Sequence, residues 1–496
     1  MKHRVAALAI IIFVLVGFNA PVYAVTTEQD AAIQNLIENT QSITRAPGTS
    51  VVVLKDGETF FISSGYANPE AGKPVDEDTL WVLASVSKAF TALGILYLEE
   101  QGLLSLEDPI DKYLPWFYLK YRGRAFDMQE LKLHHFMHHT SGLTNRGHLN
   151  PYNVGEGVEN TLEAGVEWLN GKNLAFYPGE RHDYGTVNYN ILGLVIENVT
   201  GQSFEAFMTE KIFQPLGLTS TFANRDTAAA KGILAQSYQR SFPFTRNQIE
   251  NHGSIGMAPT GFLISSSRDM ARWMGIQLGT VEDIPDVFKK LIARSHEPGL
   301  SVINSDGTYY AAGWEVNADG TVVEHGGNNP GVSTYALLFP EEKIAVAVFS
   351  NIGTGGMRDV AYPIKDILDG NLGASFRPNI FLIVDIALTL AALIGIPLAI
   401  LFFFLGLRRK KHSDKVPITK KKYKQTILSE AITSIVIIIV LPRIIFGFNA
   451  TWYYLLSLTS DSFLIGAIAL IILSCSYAWF KLSKTRIEPE RKVAKT

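Results

Sequence analysis

Cysteine is almost absent: the 496 residues contain one, Cys475. A lone thiol excludes an intrachain disulfide and a cysteine-based zinc site. Its setting in an apolar run reads as a small buried hydrophobe. Net charge is also scant, at -3, so no global electrostatic ground exists for a nucleic-acid partner. Internal repeats of useful period and low-complexity tracts are missing, which excludes solenoids and arrays. Lys and Arg crowd into Arg408 to Lys424 and the tail after Lys481, leaving the middle of the chain acidic and arguing further against a polyanion partner. What the chain has in quantity is apolar residues, 47%, enough for a sizeable core plus a further element.

Much of that apolar content sits at the two ends. Residues 1–24 read as a secretory signal: Lys2, His3 and Arg4 are followed by apolar Ala6 to Phe18, with Val22-Tyr23-Ala24 as the cleavage site. The apolar run is roughly 13 residues, short of the ~20 that a membrane span needs. Residues 378–480 hold three longer apolar segments, at about Ile386 to Leu407, Ile427 to Phe448 and Phe463 to Phe480, each read as a transmembrane helix. Arg408-Arg409-Lys410-Lys411 and Lys420-Lys421-Lys422 make the loop 408–424 basic, and Lys481, Lys484 and Arg486 open a basic tail, 481–496. Asn449 to Ser462 has no Lys or Arg but carries Trp452, Tyr453 and Tyr454. The positive-inside rule therefore predicts a multi-pass cell-membrane protein, with the loop and C-terminus cytoplasmic and residues 25–377 outside. Asp385, Glu430 and Arg443 lie in or near these segments; Asp385 falls near an outer edge, Glu430 near an inner one, and Arg443 stands alone after Pro442.

The outer region, 25–377, mixes strand and helix patterns. Ser50 to Leu54 and Thr59 to Ile62 flank an Asp-Gly turn, which predicts a hairpin. Tyr335 to Phe339 and Ile344 to Phe349 predict a second, with Val322 to Glu324 as a neighbouring strand. Between them, Val86 to Gln101 and Tyr189 to Thr200 read as helices stopped by Gly102 and Gly201, and Met357 to Leu368 as a closing helix. Strands at both ends with helices between imply an α+β fold: one antiparallel sheet with flanking helices plus a helical lobe.

Ala84-Ser85-Val86-Ser87-Lys88 holds the only Ser-x-x-Lys in the chain and opens an apolar helix. Positions i and i+3 share a helical face, so the Lys88 amine can reach the Ser85 hydroxyl. Burial lowers a lysine pKa, and a neutral amine can then take a serine proton. Ser87 is a rival nucleophile in the same turn, but no lysine lies three residues after it. Taken alone, the four-residue pattern is common on helix surfaces.

Further segments, in order, extend the pattern. His139-Thr140-Ser141-Gly142-Leu143, Pro178-Gly179-Glu180-Arg181 leading to Tyr184, and Glu324-His325-Gly326-Gly327-Asn328-Asn329 follow the Ser-x-x-Lys helix. Together these resemble the serine β-lactamase and penicillin-binding-protein superfamily, in particular its class C β-lactamase-related, D,D-peptidase and esterase branch. The resemblance spans about Val51 to Phe349 and excludes the membrane segments. It implies a serine β-lactamase/transpeptidase-like fold. It also implies that Ser85 is acylated, that Lys88 takes or relays its proton, and that Tyr184 moves protons to the leaving group. His325, in place of a lysine, would polarise the tyrosine or hold a substrate carboxylate. The backbone N–H groups of Ser85 and Asn328 would form the oxyanion hole, beside a strand edge at Gly326 and Gly327. One position departs: Tyr184-Gly185-Thr186 puts Thr186 where an asparagine usually stands, and a hydroxyl cannot reproduce an amide's paired donor and acceptor. Read in isolation, Tyr184 is a packed tyrosine and His325 a turn residue. His134, His135, His138 and His139 have metal-ligand spacing but no acidic ligand nearby in sequence, and the resemblance makes that segment structural; no metal and no cofactor is expected.

The reading is therefore an extracytoplasmic acyl-serine hydrolase that cleaves an amide or ester in a small peptide, ester or β-lactam, with cell-wall peptides as the substrate class. A general esterase or weak β-lactamase is one alternative. A low-activity membrane receptor or scaffold that binds wall fragments or β-lactams is another. No protein partner is specified.

Overall fold

Asp56 and Gly57 make the first turn of the sheet, with φ of 53° and 80°, the left-handed pair that matches the twist of a two-residue hairpin. They join β1 (Gly48–Lys55) to β2 (Glu58–Asn68), with Lys55 opposite Glu58 and Val52 opposite Phe61. The computed structural model describes residues 25–148, 161–249, 255–354, 357–412, 414–440 and 461–487. The signal-peptide reading of residues 1–24 falls outside them.

The main sheet adds β3 (Lys73–Pro74), β4 (Tyr309–Tyr310), β5 (Glu315–Val316), β6 (Val323–Asn329), β7 (Val332–Phe339) and β8 (Ile344–Ser350). Its order is β4-β5-β6-β7-β8-β1-β2-β3, antiparallel throughout. Both expected hairpins are present, and β1 lies between β2 and β8, so the two sequence ends of the domain share one sheet. Alternation of side chains splits β1 between two cores. Val51 and Val53 pack with α1 (Thr27–Thr44) and α5 (Arg358–Leu368), while Val52 and Leu54 join the larger core with α2 (Ser87–Glu100), α3 (Val187–Thr200) and α4 (Ser267–Gln277). Helix α3 ends on Gly201 at φ 67°, the left-handed cap its sequence announces.

The C-terminal end departs from the sequence reading. Among the described residues two helices, not three, are long and apolar enough to cross a membrane: α6 (Ile380–His412) and α8 (Ser462–Leu482). Between them, α7 (Lys420–Ile435) runs into a π turn, Val436–Val440. Its first turns are spent on Lys420, Lys421, Lys422 and Lys424, so its described apolar stretch is too short to qualify. Residues 441–448 of that expected span, and Arg443, lie outside the described residues. Gly466 packs on Leu388, Gly395 on Leu473 and Gly406 on Trp479, so α6 and α8 run parallel. Asp385, Ala392, Ala399 and Gly406, seven apart, are buried along one stripe of α6, and the rest of the helix is largely exposed. Small residues along such a stripe let two helix backbones approach closely. Cys475 corrects another reading: it lies exposed on α8 rather than in a core, because hydropathy does not say which side of an all-apolar helix faces a neighbour.

The helices are also fastened to the domain. Arg240, in the hairpin Tyr238–Gln248, donates to Asp385 on α6 at 2.7 Å, with the pair only 7% and 6% exposed. Its remaining guanidinium arm donates to the Ile43 carbonyl at 2.8 Å. Ser241 donates to Asp461 at the start of α8 at 2.9 Å, and Asn379 to the Thr354 carbonyl at 2.8 Å. Truncating one member of a buried ion pair strands the other charge. Arg240→Ala is expected to destabilise the full chain by about 3–5 kcal/mol. Arg240→Met with Asp385→Leu should recover most of that loss. Thermal unfolding of the three proteins checks this, and equal losses in the single and double variants would count against it.

Candidate functional site

The nucleophile turn is built under strain. Ala84 is fully buried and holds φ 47°, a left-handed conformation that costs a non-glycine residue free energy and persists only where its surroundings enforce it. The surroundings are β6 and β7. Thr334 donates to the Leu83 carbonyl at 2.7 Å, and Gly327 lies so close that a Cβ there would meet the same carbonyl at 2.7 Å and the Ala84 side chain at 3.0 Å. Any side chain at 327 would push the turn away from the strand.

One turn later the two candidate reacting groups meet. Lys88 Nζ and Ser85 Oγ are 3.0 Å apart and hydrogen-bonded, as the i, i+3 spacing implies. Lys88 Nζ also donates to the Thr260 carbonyl at 2.6 Å. Lys88 is fully buried, and desolvation holds its amine well below the usual lysine range. Among the described residues no carboxylate pairs with it; its neighbours are the rings of Tyr184 and Tyr189, 5.1 and 5.8 Å from Nζ to the centroids. A lysine in such surroundings favours the neutral form, whose lone pair can accept a hydroxyl proton. The rival, Ser87, is buried and accepts from the Leu263 N–H at 3.2 Å, whereas Ser85 lines a cleft of about 880 Å³.

The same cleft is lined by Tyr184, Thr186, His325, Gly326, Gly327 and Asn328. Every residue singled out for the site from the sequence therefore lines the cleft or, for Lys88, lies directly beneath it. β5 pairs with Val323 and Glu324 only, so from His325 onward that edge of β6 borders the cleft. Asn329 closes the arrangement by donating to the Gly261 carbonyl at 2.7 Å, in the π turn Ala258–Phe262 that carries Thr260.

His325 is held differently from the role the resemblance implies. Its Nδ1 lies 2.7 Å from the Gly326 carbonyl, which can only accept, so Nδ1 carries the proton. Its Nε2, 2.9 Å from the Tyr310 hydroxyl, is then the acceptor. Both ring nitrogens are engaged by protein groups, and burial brings the imidazole down to about 3. It is a neutral residue at physiological pH.

Thr186 uses its backbone rather than an amide. Its N–H donates to Asn145 Oδ1 at 2.7 Å and its carbonyl accepts from Thr260 Oγ1 at 2.6 Å. Asn188 does not replace the missing amide: it is buried, donating to His139 Nδ1 at 3.0 Å and accepting from Ser141 at 2.7 Å. The histidine cluster disperses onto separate partners. His135 Nδ1 accepts from the Lys132 N–H at 3.0 Å, and His138 Nδ1 donates to the Tyr310 carbonyl at 2.9 Å. Sequence reasoning missed Thr260, Tyr310 and Asn145. Thr260 meets Lys88 through a backbone carbonyl, which leaves no signal in the sequence, while Asn145 lies two residues after the His139–Leu143 segment and Tyr310 four before Trp314.

Removing the Tyr310 hydroxyl leaves a buried acceptor unsatisfied. Tyr310→Phe should cost about 1–3 kcal/mol, read from denaturant unfolding. Acid should act more broadly. Burial lowers His135 and His325 to about 3 and His138 and His296 to about 4, from 6.5. Between those values the unfolded chain binds protons that the folded chain does not, so stability falls as pH falls, by up to about 1.4 kcal/mol per histidine per pH unit. Melting temperature should therefore drop steeply from pH 6.5 to 4; a flat profile across that window would contradict the neutral, buried state of these rings.

Known proteins resemble the chain over most of the described domain. Residues 33–368 match the Beta-lactamase family model. Protein flp of Staphylococcus aureus (strain N315) is 28% identical over 333 residues, 66% of this chain and 64% of the relative's own length. Penicillin-binding protein 4* of Bacillus subtilis (strain 168) is 27% identical over 335 residues, 64% of this chain and 71% of the relative. Among solved structures, the octameric penicillin-binding protein homologue from Pyrococcus abyssi superimposes with a TM-score of 0.60 at 26% identity, covering 72% of this chain and 81% of that one. With a family model that spans most of its length, an α+β fold of the matching kind and a serine-lysine pair in its cleft, the chain belongs to the β-lactamase family of serine hydrolases.

Proposed function

We propose that the chain is an extracytoplasmic acyl-serine hydrolase of the D,D-peptidase and penicillin-binding-protein type, cleaving an amide or ester in cell-wall peptides. The observation that carries this reading is the 3.0 Å contact between Ser85 Oγ and a lysine amine stripped of water and carboxylates. Ser85 gives its proton to Lys88 and its oxygen attacks the acyl carbon. The N–H groups of Ser85 and Asn328 receive the oxyanion, a contribution worth ~10²–10³ in rate per donor. Tyr184, whose ring lies 5.1 Å from Lys88 Nζ, returns a proton to the leaving group. Water then attacks the acyl-enzyme and frees Ser85. The edge of β6 gives a peptide-like substrate a strand to lie against.

The membrane placement belongs to the same proposal. Helices α6 and α8 run parallel, and the start of each is fastened to the catalytic domain. Both end in basic residues, Arg408 to Lys411 and Lys481 with Lys484. That shared charge supports a membrane placement of α6 and α8 with their basic ends cytoplasmic.

An esterase or a weak β-lactamase would use the same machinery on another acyl donor. A slow acyl trap, acting as receptor or scaffold, is favoured by the internally engaged His325 and the absent motif asparagine. A fluorescent phosphonate or penicillin should label wild type and not Ser85→Ala; equal labelling of both would refute the nucleophile. Turnover of a p-nitrophenyl ester, a D-Ala-D-Ala peptide or nitrocefin then separates the hydrolase readings, and a label that persists without turnover marks the trap.

A further inference from the structure

We propose that the α6–α8 helix pair takes part in catalysis: through Asn379, Thr354 and Ser333 it holds Asn328 where that residue's N–H meets the oxyanion. The proposal rests on the acyl-serine reading and adds three positioning residues to it, all of them outside the lining of the cleft.

The link is a chain of hydrogen bonds. Asn328 and Ser333 stand opposite each other across β6 and β7, beside the turn that joins the two strands. Ser333 donates from Oγ to Asn328 Oδ1 at 3.0 Å. Ser333 is fully buried, and its oxygen accepts the Thr354 N–H at 2.9 Å and the Thr354 hydroxyl at 3.2 Å. With both of those hydrogens arriving from Thr354, the one Ser333 proton is directed at Asn328. The Thr354 carbonyl accepts in turn from Asn379 Nδ2 at 2.8 Å. Asn379 immediately precedes α6, and its Oδ1 accepts the Leu382 N–H at 3.0 Å as the cap of that helix. One carboxamide therefore holds the helix with its oxygen and the domain with its nitrogen.

A second route reaches the same turn. The strand Tyr238–Ser241 carries Arg240 and Ser241, which grip α6 and α8. The Tyr238 N–H is shared between the Gly331 carbonyl at 3.3 Å and the Asn351 carbonyl at 3.0 Å. Gly331 lies in the β6–β7 turn at φ 75°, so near this segment that a Cβ would meet Ser237 Cβ at 2.7 Å. Asn329 ties the same turn to the Gly261 carbonyl. The turn is thus clasped between the helix attachments and the π turn that carries Thr260. A backbone donor serves an oxyanion best when its position is fixed before the charge develops, and a misplacement of about 1 Å can cost about 10²-fold in rate. Loosening the helix attachment should therefore shift the oxyanion donor while leaving Ser85 and Lys88 in contact.

The test compares p-nitrophenyl benzoate with its thionoester, in which sulfur replaces the acyl oxygen and accepts hydrogen bonds poorly, on the full chain. The readout is the ratio of their kcat/KM values, oxygen over sulfur, which does not change with the fraction of folded protein. Ser333→Ala removes the hydroxyl that holds Asn328. Asn379→Asp keeps an oxygen for the Leu382 N–H but cannot donate to the Thr354 carbonyl. Ser333→Ala should lower the ratio by about 10–100-fold and Asn379→Asp by at least about 3-fold. A ratio unchanged in both variants, whether or not the two rates fall together, overturns the proposal and leaves these residues merely structural. A fall in Ser333→Ala alone overturns the part given to the helices. A wild type that cleaves neither ester faster than Ser85→Ala overturns the hydrolase reading and this proposal together.

Discussion

A lysine amine deprived of water is the condition on which the site depends. Lys88 is buried with no carboxylate to keep it charged, and desolvation outweighs every other influence on it. The rest of the cleft can be read as maintenance of that condition. The Thr260 carbonyl receives one amine hydrogen at 2.6 Å. Aromatic rings and neutral imidazoles occupy positions where an acidic side chain would restore the charge. His325 belongs to this wall: with Nδ1 bound to a carbonyl and Nε2 to Tyr310, it adds no positive charge beside the amine.

The cleft is assembled from distant parts of the chain, and each is fixed by a backbone carbonyl or an approach that only glycine allows. Gly327 brings β6 against the strained turn at Ala84. Asn329 and Thr334 tie the strands to the π turn and the nucleophile turn. The sheet that supports β6 and β7 is completed by β1 from the other end of the domain, so the precision of the site depends on both ends of the domain folding together.

Local chemistry made part of this legible beforehand. Asp56-Gly57 announces its own turn, Gly201 its own helix end, and the spacing of Ser85 and Lys88 already places them on one helical face. What escaped was set by tertiary hydrogen bonds. Thr260 meets Lys88 across 172 residues of sequence through a carbonyl that every residue possesses. Asn145 gains its meaning only beside Thr186, and Tyr310 only beside His325. At the C-terminal end, hydropathy located apolar segments but not which faces pack, so Cys475 was placed in a core when it lies outward. Asp385 was placed at an edge without the Arg240 that neutralises it.

That ion pair has a geometric corollary. Only a short connection separates α5 from α6, and it is pinned at Asn379, while Arg240 and Ser241 clasp the tops of two helices. A domain seated like this cannot swing on a leash. Whatever holds the two helices therefore also sets the distance and facing of the cleft that contains Ser85.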